Sequence, residues 1–599
     1  MHRHICAHAR QRHSAHAVKG KAVKKRERYA MAIQSIIAAS ALAFMYRPHA
    51  GLTWDPSCLI YKKTHYCFFM YQAPDESTYG HGYLATSDDG VHFKDRGIID
   101  AEYPGVDWFK CFVHKVVGTD GSDLFVMNHG TWRDVGGPDD PSVALPADRG
   151  CPKGTKQCLR FLKSKDLLHW EYLYTLHPDP KWYAATDGVS TGRWDHAYMQ
   201  ADGDGGFVAF PVATPCDRAH PAPGILRSAD GLNFTVHSPV VIEWGGVTPA
   251  GFEFGGMEKV GGRWYLLGGR SEEWHYSMYT LRSLGSSVLG PYAPDTHAYR
   301  LSGERGAPLP SGAGQMLAAW ARNYDVDQAG DGGASALISQ YIAMPHTADL
   351  GPKHSLAGGG HVWMLPLRRP SVDVDGHLRL VYWEGNEGLK GTALPPAPPL
   401  PALTRDVRLA PTDAGASELS VRWLDGSGTW DHSAGIVLNG TLTAPASGAV
   451  GIAIETSIGE PPNATTTAIL MDVMTPGSPS SSARAVVYDF GADGHALVRD
   501  VTSAWQCGGN VTCEAATLTG VAAGSRSPFL LFLRRGIFEL YVGVPLRLVQ
   551  TFTYGVYPVA RARVGLAVYG RGNEVVDDSA VRREREEVVR AWRMSLVED

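Results

Sequence analysis

Three acidic residues hold the same place in three separate stretches of the sequence. Asp55 precedes an apolar run and a turn, and Asp195 and Glu253 each precede a glycine-containing turn followed by an apolar run. Each acid lies roughly seven to nine residues before a hairpin turn, so a repeat fold would place all three at equivalent positions. Because burying an unpaired carboxylate is costly, we expect the three acids at the open rim of one pocket.

A pocket lined by several carboxyl groups is suited to glycoside hydrolysis. That reaction needs two carboxyl groups beside the scissile bond, one ionised and one protonated. When the two groups lie roughly 5 to 5.5 Å apart, the ionised one attacks the sugar directly and the configuration is retained. Three carboxyl groups in one pocket are compatible with chemistry of this kind.

Two alternatives to this assignment of the acids stay open. Asp55 could merely start a turn with Pro56. Glu258 is a local rival to Glu253, but it lies three residues before Gly261. We therefore expect Glu258 further along its strand and away from the rim.

A second recurring motif indicates the elements that position the acids. It consists of a serine, an aspartate two residues later and an aromatic residue six residues after the serine, at 87–93, 164–170 and 228–234. Each copy follows a short apolar run and predicts a strand, a tight turn and the beginning of the next strand. Spacings of about 64 to 77 residues suit a four-stranded unit with long loops.

The two patterns together divide residues 46–393 into five units. The units begin near Trp54, Trp108, Asp195 and Glu253, with a more divergent last unit at 314–384. Five units predict a five-bladed β-propeller, whose central funnel would gather Asp55, Asp195 and Glu253. A β-sandwich with generic turns is the alternative for this part of the chain.

The remaining chain predicts a second all-β domain. The proline-rich run 394–404 cannot continue a central strand and predicts a stiff linker. Alternating apolar runs within 405–599 predict a C-terminal β-sandwich. The tail predicts a C-terminal helix packed on that sandwich, or alternatively a partner-binding helix, because four apolar residues share one helical face. They are Val581, Val588, Trp592 and Leu596.

Length and composition agree with two β domains and exclude other classes. A chain of 599 residues is too long for one ordinary core, and 10% aromatics with 68 glycines favour a turn-rich β protein. With 56 basic and 61 acidic residues, the charge gives no case for a nucleic-acid partner. No metal-ligand spacing or glycine-rich phosphate loop occurs, so we expect no metal and no cofactor.

The first 45 residues have the form of a secretory signal. A basic segment without acids until Glu27 is followed by an apolar run that ends in Ala41-Leu42-Ala43. We therefore expect a secreted or secretory-pathway protein with no stable membrane contact once the leader is cleaved. The alternatives are an uncleaved anchor and a later start at Met31.

Cysteines and glycosylation acceptors agree with that compartment. The close pairs Cys151/Cys158 and Cys507/Cys513 predict disulfides that staple loops. Four acceptor triplets for N-glycosylation predict a glycoprotein. They begin at Asn233, Asn439, Asn463 and Asn510.

Four stretches match, in order and approximate spacing, the motifs of one known family. Trp54–Tyr61 is similar to a W-x-N-D-P-N-G motif with its apolar strand, and Tyr79–His81 is similar to W-G-H. An R-D-P motif falls at Trp194–His196, and an E-C motif falls at Glu253–Phe254. The sequence therefore resembles glycoside hydrolase family 32, the invertases, inulinases and fructan hydrolases.

The resemblance implies a five-bladed propeller followed by a β-sandwich, and it implies a role for each acid. Asp55 would be the nucleophile and Glu253 the general acid/base, while Asp195 would hold sugar hydroxyls and favour the oxocarbenium-like transition state. The substrate-binding residues would be Trp54, Tyr71, His81, Trp108, Trp194 and His196. For the aromatic members of this set, packing inside the propeller is the alternative role.

The sequence departs from the family pattern around the acids. The family's asparagine is Trp54 here, its arginine is Trp194 and its proline is His196. Its cysteine is Phe254, and its glutamine falls at Tyr71. Several of these groups grip fructose hydroxyls in the family, whereas all three acids are retained.

We therefore predict a retaining glycosidase that acts on a furanoside. A β-fructofuranoside, such as sucrose or a fructan, is the leading substrate. A related five-bladed glycosidase acting on another sugar, such as an arabinofuranoside, and a non-catalytic carbohydrate-binding protein are the alternatives. A monomer and a homo-oligomer are both compatible with the sequence.

Overall fold

The computed structural model is an all-β protein. It describes residues 46–74, 80–99, 108–131, 157–184, 193–217, 222–245, 253–269, 278–294, 318–326, 335–344, 361–373, 376–394, 403–407, 417–424, 435–443, 449–457, 464–473, 482–490, 496–498, 516–519, 526–534, 537–553, 561–570 and 590–594. Within these ranges, no helix is long and apolar enough to span a membrane. The predicted leader, residues 1–45, lies outside them.

Four groups of strands share one plan, in which four consecutive strands lie antiparallel in chain order. The first group is β1 (Leu52–Tyr61), β2 (Thr64–Gln72), β3 (His81–Ser87) and β4 (Lys94–Ile98). The second is β5 (Cys111–Val117), β6 (Asp123–Thr131), β7 (Cys158–Ser164) and β8 (Glu171–Leu176). The third is β9 (Trp194–Ala201), β10 (Phe207–Ala213), β11 (Ile225–Ser228) and β12 (Thr235–His237). The fourth is β13 (Glu253–Val260), β14 (Arg263–Gly269), β15 (Met278–Ser283) and β16 (Tyr292–Pro294).

A fifth group lies beside the first. It contains β17 (Ala318–Asn323), β18 (Leu337–Met344), β19 (His361–Met364), β20 (Arg368–Val372) and β21 (Leu378–Tyr382). In this group β17 pairs with β18, β18 with both β19 and β20, and β20 with β21. Strand β17 also pairs with β1 in parallel, with Leu59 opposite Arg322. The first strands of the five groups begin within four residues of the positions that the sequence analysis gives for the five units.

The first strands of the five groups contact one another. His114 on β5 accepts a hydrogen bond from the backbone N–H of Met199 on β9, at 2.9 Å. The His196 ring on β9 donates to the Phe254 carbonyl on β13, at 3.0 Å. Strand β13 approaches β17 at Gly255, where a Cβ would lie 1.9 Å from the Ala318 carbonyl oxygen. Strand β1 contacts both β17 and β5, so each of the five first strands lies beside the first strands of two other groups.

The predicted strand–turn motif is confirmed in three of the groups. Ser87, Ser164 and Ser228 each end a strand, and each serine hydroxyl accepts a backbone N–H three residues later at 2.9 Å. The aspartate two residues after each serine accepts two further backbone N–H groups. These side-chain-to-backbone bonds stabilise the tight turn locally, which is why the motif is readable from sequence.

The C-terminal strands form two further sets. After a short 3-10 helix (Glu384–Leu389), one set contains β22 (Lys390–Ala393), β25 (Ile436–Thr443), β31 (Arg526–Arg534), β32 (Ile537–Val542), β33 (Arg547–Thr553) and β35 (Arg590–Met594). The other contains β23 (Leu403–Val407), β24 (Ser417–Trp423), β26 (Ala449–Ser457), β27 (Ala464–Val473), β28 (Ser482–Phe490), β29 (Ala496–Val498), β30 (Ala516–Thr519) and β34 (Arg561–Gly570). The first set meets the fifth group where Val381 on β21 pairs with Arg547 on β33. Most of the predicted linker, residues 395–402, lies outside the described residues.

The predicted C-terminal helix is wrong over residues 590–594. These residues form β35, which pairs with β25 on one side and β22 on the other. The helical spacing of Val588, Trp592 and Leu596 is a local pattern, whereas β35 is decided by pairing with distant strands. Packing of the tail against the C-terminal strands is retained, and residues 571–589 lie outside the described residues.

One disulfide joins β1 to β2. Cys58 and Cys67 face each other in the strand register and are bonded, a pair that the sequence analysis did not propose. Cys158 is also in a disulfide, while Cys151, Cys507 and Cys513 lie outside the described residues. A disulfide between paired strands is typical of proteins from oxidising compartments.

Candidate active site

Asp55 lies in a β-bulge of β1. The register between β1 and β2 shifts between Trp54 and Ser57, which marks a β-bulge, and the φ angle of Asp55 is 51°. Bulges re-aim side chains, and a non-glycine residue at positive φ stores strain that is common at functional sites. Oδ1 of Asp55 is buried and accepts no hydrogen bond from the described residues. The bulge therefore presents a carboxylate with an unsatisfied oxygen.

Asp195 is fixed on β9 by its neighbours. Its Oδ1 accepts the backbone N–H of His196 at 2.8 Å, and the ring Nδ1 of His196 lies 3.2 Å from the same oxygen. Beneath the carboxylate is Gly130 on β6, where a Cβ would lie 2.5 Å from Oδ1. Asp195 thus occupies a space that only glycine leaves open.

Glu253, the first residue of β13, meets Asp195 through Arg193. The Arg193 guanidinium donates from Nη2 to Asp195 Oδ2 at 2.7 Å and from Nη1 to Glu253 Oε1. Asp195 is almost fully buried and Glu253 is 9% exposed, whereas Arg193 is half-buried. Two of the three predicted acids are therefore joined by one cation.

Lys110 is the second cation near the acids. It lies immediately before β5, is 1% exposed, and its ammonium interacts electrostatically with Asp55, Glu253 and Asp195. Sequence reasoning missed Lys110 and Arg193. The sequence did carry a signal for Lys110. This lysine stands in the apolar run 108–113, and lysine is rarely buried without partners.

The surroundings of Asp55 make its charged form less stable than it is in water. Burial raises the pKa of Asp55 most strongly, Lys110 opposes this effect, and the Glu253 carboxylate raises the pKa further. The net result is a pKa above the ordinary value for aspartate.

Asp195 behaves in the opposite way. Burial again raises its pKa, but the His196 ring and the Arg193 guanidinium together outweigh burial and hold the pKa below the ordinary value. The same burial lowers the pKa of Arg193, and Glu253 and Asp195 more than reverse that effect. The Asp195–Arg193 pair is therefore a fixed ion pair at neutral pH.

The predicted sugar-binding residues lie in different parts of the structure, and His196 is the one placed beside Asp195. His196 belongs to the charged group through its contact with Asp195. Trp54 and Trp108 are buried in the core that the groups share, and the Trp108 ring stacks on His129 with centroids 3.8 Å apart. His81 is half-buried on β3, in register with Tyr71.

Trp194 and Tyr71 face other parts of the core. The Trp194 ring is fully buried against Tyr183 and donates its Nε1–H to the Leu176 carbonyl at 3.3 Å. The Tyr71 ring stacks on Tyr83 with centroids 4.5 Å apart, and its hydroxyl donates to the Ala50 carbonyl.

Glu258 has a separate environment, as expected from its position along β13. It is buried, accepts the Tyr198 hydroxyl, and accepts Arg322 Nε at 2.7 Å. This buried ion pair links β13 to β17. Glu258 is thus engaged in an internal contact, whereas Glu253 lies beside Asp195.

Gly130→Ala tests whether the position of the Asp195 carboxylate matters. The added methyl group would displace Oδ1, and a displacement of about 1 Å can reduce turnover about 100-fold. We expect that loss in kcat/KM on the substrate of the proposed reaction, with only a modest drop in melting temperature.

Gly285→Ala is the matched control for Gly130→Ala. A Cβ at position 285 has no heavy atom within 4 Å, so this variant should keep wild-type activity. Equal activity of Gly130→Ala and Gly285→Ala would contradict the role given to the Asp195 position.

Known structures resemble this protein over nearly its whole length. No family model and no curated protein matches the sequence. A GH32 β-fructofuranosidase from Bombyx mori matches the structure with a TM-score of 0.54 at 12% identity, over 96% of this chain and 99% of that chain. Sucrose-6-phosphate hydrolase from Lactobacillus gasseri matches with 0.55 at 9% identity, over 94% and 95%. Fructan 1-exohydrolase IIa from Cichorium intybus matches with 0.55 at 13% identity, over 93% and 97%.

These identities are low, so the likeness concerns the architecture of the chain. It extends over nearly the full length of each matched structure. The family resemblance predicted from the motifs is confirmed at the level of the fold: the chain has a fold like that of glycoside hydrolase family 32.

Proposed function

We propose that the protein is a retaining glycosidase that cleaves furanosides, with β-fructofuranosides such as sucrose and fructans as the leading substrates. The observation that carries the proposal is the convergence of Asp55, Asp195 and Glu253, from three different strand groups, around Lys110 and Arg193. Clusters of titratable groups whose pKa values are shifted by burial and by specific charged partners are typical of functional sites. The shared fold with fructofuranosidases supports the same reaction class.

Each acid has a role in the proposed mechanism. Asp55, with its unsatisfied oxygen, attacks the anomeric carbon, and Glu253 protonates the leaving oxygen. Glu253 then removes a proton from the water that releases the sugar from Asp55. Asp195, held ionised by Arg193, accepts hydrogen bonds from sugar hydroxyls and stabilises the positive charge of the transition state.

The three acids lie among basic groups. Three carboxyl groups face two cations, Lys110 and Arg193. The mechanism requires one protonated and one ionised carboxyl group at its start.

We also propose the domain arrangement that the sequence predicts. The five strand groups would be the blades of a propeller over residues 46–393, and the two C-terminal sets would form a β-sandwich over 405–599. The contacts among the first strands of the groups support the first part. The likeness to glycoside hydrolase family 32 structures supports both parts.

Secretion through a cleaved leader is part of the proposal. The Cys58–Cys67 disulfide supports an oxidising compartment. Of the acceptor asparagines, Asn233 is exposed in a turn and suits glycosylation. Asn439 lies within β25, with paired strands on both sides, and suits it poorly.

A glycosidase for another furanoside, such as an arabinofuranoside, is the second candidate. It is favoured by the placement of Trp194 and Tyr71, which stand at family positions that grip fructose but face the core here. A changed sugar pocket with retained acids would alter the substrate rather than the reaction.

Sugar release from sucrose, inulin, levan and a panel of aryl furanosides tests the proposal. We expect hydrolysis of at least one substrate class, with β-fructofuranosides first, and its loss in Asp55→Asn. Binding of these sugars without hydrolysis of any of them would instead indicate a carbohydrate-binding protein.

A further inference from the structure

We propose that Lys110 is a positioning residue that keeps Asp55 ionised and aligned for attack. The inference rests on the proposed function and deepens it, because it assigns the cation that lets a buried carboxylate act as the nucleophile. Neither the family motifs nor the spacing of the acids points to a lysine at this place.

The backbone around Lys110 is anchored to the site. Phe109 donates its backbone N–H to the Gly130 carbonyl at 3.1 Å, and Gly130 lies directly beneath Asp195. The Lys110 side chain is 1% exposed, with its ammonium 5.2 Å from the centroid of the Phe112 ring. That ring in turn lies 5.3 Å from the His196 ring. The ammonium is therefore buried beside a ring that contacts His196, the neighbour of Asp195.

A buried lysine needs compensation. An ammonium is strongly hydrated in water, and burial lowers the pKa of Lys110. The interactions that oppose this effect come from Asp55 first, then Glu253, then Asp195. If Lys110 served packing alone, its replacement by methionine would leave the pKa values of these acids unchanged.

The groups around Asp55 show why Lys110 matters most to that residue. Glu253 on β13 disfavours the charged form of Asp55, and His196 on β9 and Tyr341 on β18 favour it less strongly than Lys110 does. Arg193, the other cation of the site, is already bound to Glu253 and Asp195. Lys110 is thus the principal counterion of Asp55.

The expected signature lies in the pH profile. A retaining mechanism needs Asp55 ionised, so the acidic limb of kcat/KM reports its protonation in the free enzyme. Without the Lys110 charge the carboxylate is less stable, and its pKa rises. Lys110→Met should move the acidic limb upward by about one pH unit or more, since a nearby opposite charge shifts a carboxyl pKa by about one to three units.

Two further variants separate this role from a structural one. Lys110→Arg keeps the charge and should keep the acidic limb within about half a unit of wild type, even if kcat falls. Lys115→Met is the matched control, because Lys115 lies on β5, the strand that Lys110 immediately precedes, but pairs with Asp123 outside the site. Its profile should match wild type. An unmoved acidic limb in a folded Lys110→Met variant would overturn the proposal.

A second measurement does not require glycosidase activity. Water-soluble carbodiimide reacts with protonated carboxyl groups, and peptide mass spectrometry quantifies modification of Asp55 at each pH. We expect the midpoint of Asp55 modification to shift upward in Lys110→Met and not in Lys115→Met. If the modification midpoint shifts but the protein cleaves no furanoside, the proposed function is wrong and the electrostatic role of Lys110 is supported. Equal midpoints in wild type and Lys110→Met would reject that role.

Discussion

Asp55→Asn is expected to abolish turnover without unfolding the protein. The amide cannot attack the anomeric carbon, so kcat should fall by at least about four orders of magnitude, or about 5 kcal/mol of transition-state stabilisation. Asparagine tolerates the positive φ of 51° at this position better than most residues. Steady-state hydrolysis of the best substrate from the panel measures the loss.

The stability of Asp55→Asn supplies an internal control. Because the folded protein raises the pKa of Asp55, its stability falls as the pH rises through that pKa and Asp55 becomes charged. A neutral asparagine removes this penalty but also leaves the buried Lys110 ammonium without its main counterion, so the two effects oppose each other and the melting temperature at neutral pH should stay close to that of wild type. An inactive variant that melts far below wild type would show damage to the fold, and an active one would remove Asp55 from the mechanism.

Glu253→Ala is expected to separate substrates by their leaving groups. A poor leaving group needs a proton from the general acid, whereas an activated aryl group departs without one. The variant should therefore lose far more activity on a natural disaccharide than on an aryl furanoside. Azide should partly restore turnover of the aryl substrate, because a small anion can attack the sugar–enzyme intermediate without a base.

Glu258 provides the comparison for Glu253. Glu258→Ala would leave the Arg322 guanidinium buried without its carboxylate, and breaking such a pair costs about 3–5 kcal/mol. Glu258→Gln keeps the shape and should leave the ratio of disaccharide to aryl-substrate activity at the wild-type value. Leaving-group dependence in that variant, rather than in Glu253→Ala, would reverse the assignment of the acid/base.

The strand groups could be predicted because their signals are local. The hydroxyl of Ser87 and the carboxylate of Asp89 bind backbone groups within the same turn, so the motif forms wherever the short sequence occurs. The C-terminal strand β35 could not be predicted in this way. Its conformation depends on β22 and β25, which are distant in sequence.

The acids of the site were predictable, but their countercharges were not recognised. Arg193 and Asp195 share one face of an extended chain, and Trp194 lies on the other, because side chains alternate along a strand. That alternation was sufficient to place Arg193 beside Asp195 and to turn Trp194 toward the core. The apolar run around Lys110 signals its burial, but its partners depend on how β5 lies against β1, which a single sequence does not contain.

The disulfide also had a readable signal. Cys58 and Cys67 are equally distant from the Lys62–Lys63 turn, both residues of which have positive φ. A two-residue hairpin turn fixes the register of its strands, so it places the two cysteines opposite each other. The spacing of nine residues hides this relation unless the turn is identified first.

The most direct test of the proposed mechanism is to trap the sugar on the enzyme. Glu253→Ala lacks the base that releases the intermediate, so incubation with an activated aryl furanoside should make the glycosyl-enzyme accumulate. Mass spectrometry of peptic peptides should then find one added sugar on the peptide that contains Asp55, and none in the double variant Asp55→Asn/Glu253→Ala. A sugar on any other residue, or aryl release without an adduct and with inversion of the anomeric configuration, would contradict attack by Asp55.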